Sequence, residues 1–179
     1  MKKVLLVAAA VVTTLSASAQ GFKFGHVNGA EVVALMPERD SAEAKFLAYV
    51  KDLEEQVELM QVEYNNKLQT YQQKAKGWSD AIREAKEKEL QDLAQRVQEF
   101  QATAQQDLQK RQSELLRPVI EKAANAVKKV GKDNGFTYIF DVSNAAVAYW
   151  DAAASVDIMD LVKKELNITK AAPAPAKAK

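Results

Sequence analysis

The residues of this chain that could do chemistry are few and far apart. Its 179 residues include one histidine, His26, and no cysteine. One imidazole cannot hold a transition metal without further ligands, and a chain without cysteine has neither a thiolate nor a disulfide framework. We therefore interpret His26 as a structural residue in or beside the first strand, and we expect no metal site and no cofactor.

Four carboxylates lie close together near the C-terminus: Asp141, Asp151, Asp157 and Asp160. Paired carboxylates can carry out general acid–base catalysis. Asp157 and Asp160 are better explained as the cap and first turn of a helix, and Asp141 and Asp151 flank a predicted β-hairpin. The sequence contains no glycine-rich phosphate loop, nucleophile elbow or dinucleotide fingerprint. The residues therefore predict a protein that is not an enzyme.

The longest regular pattern covers residues 40–117, which are rich in straight-chain helix formers. Apolar residues recur there in alternating steps of four and three, which is the heptad seam of a coiled coil. The first seam contains Phe46, Val50, Leu53, Val57, Met60 and Tyr64. The second contains Leu90, Leu93, Val97, Phe100, Ala104 and Leu108. With Gly77 between them, the two seams predict two long helices folded back on each other as an arm.

Two interruptions mark the ends of this arm. Met36-Pro37 predicts a break, after which Asp40 starts the first long helix, since the residue before proline is pushed out of the helical region. Pro118 lies near the base of the returning helix, where it must either kink that helix or begin a new one. A kink would make Pro118 a hinge.

The remaining elements are short. Strands are predicted at 22–27, 136–142 and 145–150, the last two forming a hairpin around Ser143-Asn144. Asn28 caps a short helix, and Asp157 caps a final helix. The apolar face of that final helix consists of Ile158, Leu161, Val162 and Leu166. These strands and short helices together make a packed body that is too small to be stable alone. Without cysteine or metal, this body is expected to form an oligomer.

The two ends of the chain predict export and an unpacked tail. Lys2 and Lys3 precede a short apolar run, and Ala17-Ser18-Ala19 is a cleavage signal, so the mature chain should begin at Gln20 after cleavage behind Ala19. From residue 169 the tail is too poor in apolar residues to pack. Without Lys2 and Lys3 the 25 basic residues become 23 against 24 acidic ones, so nucleic acid is not an expected partner.

The order of these elements resembles the Skp (OmpH-like) family of periplasmic chaperones. The resemblance is carried by Phe24-Gly25-His26-Val27-Asn28, the helical hairpin, Tyr138-Ile139-Phe140-Asp141-Val142, Val147-Ala148-Tyr149-Trp150 and the Asp157-Ile158-Met159-Asp160 helix start. It implies an α+β fold in which a small β-rich body carries a long antiparallel coiled-coil arm, assembled as a jellyfish-like homotrimer. The implied domains are a signal peptide (1–19), a trimerisation body (20–39 and 118–168), the arm (40–117) and a disordered tail (169–179).

The same resemblance implies the activity. Family members hold unfolded outer-membrane β-barrel proteins in a cavity between their arms, without ATP, in the periplasm. The body core of the trimer would then contain Phe24, Val27, Tyr138, Ile139, Phe140, Val147 and Tyr149. The alternative function is a structural coiled-coil spacer or scaffold of the cell envelope, which should carry a continuous seam; here the seam slips at Leu68.

Aromatic residues of the arm are the candidate client contacts: Tyr64, Tyr71, Trp78 and Phe100. Tyr64, Tyr71 and Phe100 lie on the seams, so packing within the arm also explains them. Trp78 lies at the tip without an evident partner, which makes it the foremost candidate. Basic residues at the tip also suggest a weak contact with an anionic membrane surface, although they alternate with acidic residues that can pair with them.

Overall fold

The computed structural model describes residues 22–144 and 146–169, so the predicted signal peptide, its Ala19–Gln20 cleavage site and the tail from residue 170 lie outside the described residues. The chain divides into two compact units. The hairpin unit is Met36–Lys122, and the sheet unit contains the described residues before and after it. These boundaries differ by a few residues from the predicted ones, and the roles assigned to the two regions stay predictions.

The sheet unit is built on three short parallel strands. They are β1 (Phe24–Val27), β2 (Tyr138–Asp141) and β3 (Ser155–Asp157), in the order β2-β1-β3. Phe24 lies opposite Tyr138 on one side and Ser155 on the other. The central strand is therefore the N-terminal one, and both its neighbours come from the C-terminal part of the chain.

The predicted hairpin between 136–142 and 145–150 is wrong. Residues 146–150 form no strand, and the third strand is Ser155–Asp157, which pairs with β1 in the parallel direction. The segment has the composition of a strand, but strand propensity depends on packing against cross-strand and same-face neighbours. Here β3 pairs with the second edge of β1, and the outer edge of β2 has no partner among the described residues.

One face of the sheet is covered by two short helices, α1 (Gly29–Leu35) and α4 (Met159–Glu165), which contact each other, and by the end of the long helix Asp80–Asp133, where Gly131 meets Ile139. Gly25 lies on this face, where a side chain would come within about 3 Å of the Phe136 ring and Ile158, so the glycine permits their close approach. The largest side chains that are almost fully buried here belong to Val27, Val32, Leu35, Ile158 and Val162.

Short polar contacts set the ends of these helices. The Asn28 side-chain oxygen accepts the Glu31 N–H at 3.0 Å, which confirms the predicted cap of α1. The Asp141 carboxylate accepts the N–H groups of Gly29 and Ser143 at 3.0 and 2.9 Å and so joins the end of β2 to the start of α1. Burial alone would raise the pKa of Asp141, but the two N–H donors outweigh it and lower that pKa.

The final helix begins at Met159, one residue later than a cap at Asp157 predicts. Asp157 ends β3, and its carboxylate accepts the Met159 N–H, two residues further on, at 2.9 Å, which is the bond expected of the predicted cap. Of the predicted apolar face, Ile158 and Val162 are fully buried, whereas Leu161 is 37% exposed. The helix therefore packs along a narrow stripe.

The hairpin unit consists of α2 (Pro37–Lys74), a 3₁₀ turn (Ala75–Gly77) and the first part of α3 (Asp80–Asp133). The 38 residues of α2 span about 57 Å and the 54 residues of α3 about 81 Å. The predicted start at Asp40 is wrong, because α2 already begins at Pro37. Proline suits the first turn of a helix, where its missing N–H has no partner to lose.

The two long helices run antiparallel, and polar or cation–π contacts join their side chains at four levels. These contacts are Glu38 with Lys122, Tyr49 with Arg111, Lys67 with Glu89 and Tyr71 with Glu87. Pro118 lies inside α3, so it does not begin a new helix, and its role as a hinge stays a prediction. The helix ends with Gly135 in the left-handed conformation (φ 66°), where the Phe136 N–H bonds back to Gly131.

Candidate functional site

At the turn of the hairpin the foremost client candidate, Trp78, is already in contact with another ring. Its indole packs edge-to-face on Tyr71, with ring centroids 5.9 Å apart and planes at 65°. The expectation that Trp78 lacks a partner is therefore wrong. The 3₁₀ turn is the reason, because the Trp78 N–H bonds back to the Ala75 carbonyl at 3.3 Å and returns the residue toward α2.

Ion pairs and hydrogen bonds fasten this tip. Tyr71 donates its hydroxyl to Glu87, and Lys67 and Lys86 both donate to Glu89. The hydrogen bond from Lys67, and to a lesser extent the one from Lys86, lowers the pKa of Glu89 to about 2, which keeps this carboxylate ionised. The sequence had placed Tyr71 on the seam, and here it also connects the two helices at the tip.

Some of the basic residues of the tip are paired. Arg83 donates to Asp80 at 2.9 Å, and Lys86 donates to Glu89 at 2.8 Å. Each pair cancels part of the local positive charge that would attract an anionic surface. Weak membrane contact by the tip remains a prediction, and it depends on the exposed Lys74 and Lys76.

The other two aromatic candidates are only partly accessible. Tyr64 and Phe100 are half-buried, as expected of residues on the seams. Apolar residues off the seams are more exposed, and sequence reasoning did not select them: Leu47, Leu59, Val62 and Ile82 have between 47% and 61% of their surface exposed. Their position off the four-and-three period was the available signal, because a residue that does not face the partner helix must face solvent.

Open clefts run between the two helices of the hairpin. One of them, which we call the mid-hairpin groove, has a volume of about 560 Å³. Its lining consists of Val50, Leu53, Glu54, Val57, Glu58, Gln61, Gln101, Ala104, Gln105, Leu108 and Gln109. Two smaller clefts lie toward the start of α2. One, of about 250 Å³, is lined by Phe46 and Leu115 among others, and the other, of about 380 Å³, by Lys45 and Pro118 among others. The seams are therefore only partly closed.

The sheet unit carries a second apolar surface, on the face away from its helices. Strand alternation and the parallel register put Phe24, Tyr138 and Phe140 on this face. Their rings form a cluster with centroids 6.2 to 6.5 Å apart. Tyr138 is 60% and Phe140 42% exposed. We call these three residues, together with the exposed Phe22, the aromatic face.

The residues predicted for the trimer core thus fall into separate places. Val27 is buried in the core of the single chain, and Ile139 lies against Gly131 of α3. Val147 and Tyr149 belong to the segment without a strand, where Tyr149 is 82% exposed. The aromatic face holds the other three, so most of the predicted set is still accessible to a second molecule.

His26 has the surroundings of a structural histidine. It lies in β1 with its Nδ1 2.9 Å from the Ser155 hydroxyl and its ring 5.2 Å from the Trp150 ring. Among residues 22–144 and 146–169 no three histidine, cysteine or acidic side chains gather as metal ligands would. Within the same residues, no helix combines the length and the apolar character that crossing a membrane requires.

Comparisons with known proteins agree with this architecture. The family of OmpH-like outer membrane proteins matches residues 23–166. A crystal structure of an OmpH-like protein from Caulobacter crescentus CB15, described as a candidate outer membrane chaperone, has a similar fold, with a TM-score of 0.68 and 16% sequence identity. The match covers 82% of this chain and 84% of that one. No curated protein sequence matches the chain.

Proposed function

The chain belongs to the OmpH-like family of outer membrane proteins, and on that premise we propose that it is a periplasmic chaperone. In this proposal it binds unfolded outer-membrane β-barrel proteins without ATP and prevents their aggregation. It needs no cofactor and catalyses no reaction. The signal for export is the predicted N-terminal peptide, so mass spectrometry of envelope fractions should find the mature chain beginning at Gln20.

The open hairpin is the observation that carries this proposal. A helical pair that serves only as a strut gains stiffness from a seam filled by interlocking side chains. Here the seam contains a cleft of about 560 Å³ with apolar residues at its base, which is within the range of sizes that bind ligands. Leu59 and Val62 add exposed apolar contacts on the same unit.

Such a surface supports binding of an unfolded client through many weak contacts. An unfolded barrel protein offers several apolar segments, and each of them can bind in a cleft or pack against an exposed leucine. Because all sites belong to one assembly, release of one segment leaves the others bound, and the combined affinity exceeds that of any single contact. Insertion of the client into a membrane would bury the same segments more completely and so release it.

The aromatic face supports a homotrimer. The sheet unit has three strands of three or four residues, two helices of seven and the last turns of α3, a core that is small for independent stability. An exposed apolar cluster on such a unit marks an interaction surface. We propose that three copies bury this face against one another and that the segment 146–150, including Val147 and Tyr149, contributes to the same interface.

The rival function is a spacer or scaffold, and the lengths of α2 and α3 favour it. The two functions differ in an aggregation assay. A denatured outer-membrane β-barrel protein is diluted without ATP in the presence of the chain, and light scattering is followed. A chaperone suppresses the scattering at a stoichiometric ratio, whereas a spacer leaves it unchanged.

Deleting residues 53–97 and closing the hairpin with a short connector tests where clients bind. The deletion lies within the hairpin unit, so the sheet unit should keep its fold and its oligomeric state. We expect circular dichroism to show much less helix and aggregation suppression to fall to background. A truncated protein that protects clients as well as the full chain would refute the proposed function and leave the helices as spacers.

Phe140→Asp tests the trimer. Phe140 is 42% exposed, so the charge is tolerated in the single chain but becomes costly when the face is buried, by several kcal/mol. Native mass spectrometry should show three chains for the unsubstituted protein and monomers for the variant. Phe140→Leu is the control and should remain trimeric. If the unsubstituted protein is a stable monomer at micromolar concentration, the trimer is wrong.

A further inference from the structure

The mid-hairpin groove has two different rims. Its base consists of apolar seam residues: Val50, Leu53, Val57, Ala104 and Leu108. On α2 the rim carries the carboxylates of Glu54 and Glu58, and on α3 it carries the amides of Gln101, Gln105 and Gln109. The space exists because Ala104 places only a methyl group where neighbouring seam positions of α3 carry Phe100 and Leu108.

The polar groups of both rims are unoccupied. Within the described part of the chain, Glu54 and Glu58 form no ion pair, unlike their neighbour Glu55, which binds Lys51 at 3.4 Å. The three glutamine side chains likewise form no hydrogen bond to any described residue. No lysine or arginine lines the groove. The groove therefore offers free acceptors and donors above an apolar base, with a negative charge on one side only.

The dimensions fit an extended peptide. From Val50 to Gln61 the groove follows eleven residue steps of helix, about 16 Å, which is the length of about five residues of an extended chain. The glutamines recur every four residues, or about 6 Å along α3. Alternate residues of an extended chain recur at about 6.6 Å, so each amide can meet the backbone of every second residue.

We propose that the mid-hairpin groove is a subsite for an extended client segment in which apolar residues alternate with lysine or arginine. The apolar side chains enter the groove, and the basic ones stand at its mouth beside Glu54 and Glu58. The glutamine amides hold the backbone. The inference rests on the proposed function, because the strands of membrane β-barrels alternate apolar with polar residues.

The test uses the full-length protein and fluorescein-labelled peptides of seven residues. One alternates leucine with lysine, a second alternates leucine with glutamate, and a third has the composition of the first with its leucines in one block. Fluorescence anisotropy measures binding. We expect the leucine–lysine peptide to bind at least tenfold more tightly than the other two.

Ala104→Leu fills the groove and should weaken binding of the leucine–lysine peptide at least tenfold. Ala102→Leu is the matched control, since Ala102 is an exposed residue of the same helix outside the groove, and it should bind like the unsubstituted protein. If Ala104→Leu changes the helix content, Gln105→Ala replaces it, with Gln106→Ala as its control. The double variant Glu54→Gln/Glu58→Gln should lose the preference for lysine over glutamate.

Equal binding by the Ala104→Leu and Ala102→Leu variants would overturn the proposal, and so would equal binding of the three peptides. A change in the mass of the assembly in Ala104→Leu would assign the groove to a second copy of the chain and would also overturn it. The aggregation assay separates this inference from the proposed function. If the unsubstituted protein suppresses aggregation without binding the peptide, only the groove assignment fails.

Discussion

The sheet unit and the hairpin unit differ in how completely they bury their apolar side chains. In the sheet unit, Val32, Ile158 and Val162 have no exposed surface. In the hairpin unit, among the described residues between Pro37 and Lys122, Leu93 is the one large side chain that is almost fully buried, with 1% exposure. Tyr64, Phe100 and most other seam residues are half-buried.

This difference follows from the number of layers. A sheet covered by helices encloses its core from both sides, whereas two helices meet along one line and leave both flanks of that line open to solvent. A small residue such as Ala104 then opens a cleft that no third element fills. The same feature that makes the hairpin a weak core leaves it apolar surface for another molecule. The comparison teaches that the more completely buried core and the proposed client-binding surface lie in different units.

The largest expected effect is that of Ile158→Asp in the sheet unit. An unpaired carboxylate at a site with 0% exposure should destabilise this unit by several kcal/mol and abolish its folding. Trp150 fluorescence in a Trp78→Phe background reports on the unit during urea unfolding. Val156→Asp, at a site 47% exposed, is the control and should retain the transition. A normal transition in Ile158→Asp would contradict the closed core.

Leu93→Ala should have the next largest effect, in the hairpin. Removing a fully buried leucine side chain costs about 2 to 4 kcal/mol, and a unit with few such residues should lose much of its stability. Thermal unfolding followed by far-ultraviolet circular dichroism measures the loss. Leu59→Ala, at a site 61% exposed, should change stability by less than about 0.5 kcal/mol. Equal effects would mean that the seam is no better packed than the outer surface.

The smallest effect concerns Glu89 at the tip of the hairpin. Its pKa is lowered from 4.5 to about 2, chiefly by Lys67 and then by Lys86, so its contribution to stability is complete above pH 4.5 and disappears as the pH falls toward 2. Glu89→Gln should therefore melt slightly below the unsubstituted hairpin at pH 7 and together with it near pH 2. Glu84→Gln, at an exposed site, is the control. A difference that grows on acidification would refute the pairing.

Several features were determined by local sequence. The helical hairpin follows from the four-and-three period on each side of Gly77, and the cap of α1 follows from the side chain of Asn28. The strands β1 and β2 lie inside the predicted segments 22–27 and 136–142. In each case the controlling interactions join residues close in sequence, so their pattern can be recognised without knowing the fold.

Other features depended on which distant segments meet. The third strand is Ser155–Asp157 and not residues 145–150, and it pairs with β1, which lies more than a hundred residues away in sequence. The contact between Trp78 and Tyr71 depended on the path of the 3₁₀ turn. The mid-hairpin groove depended on the sizes of the side chains that α2 and α3 place opposite each other. Local propensity contains none of these distances, so only the tertiary structure decided them.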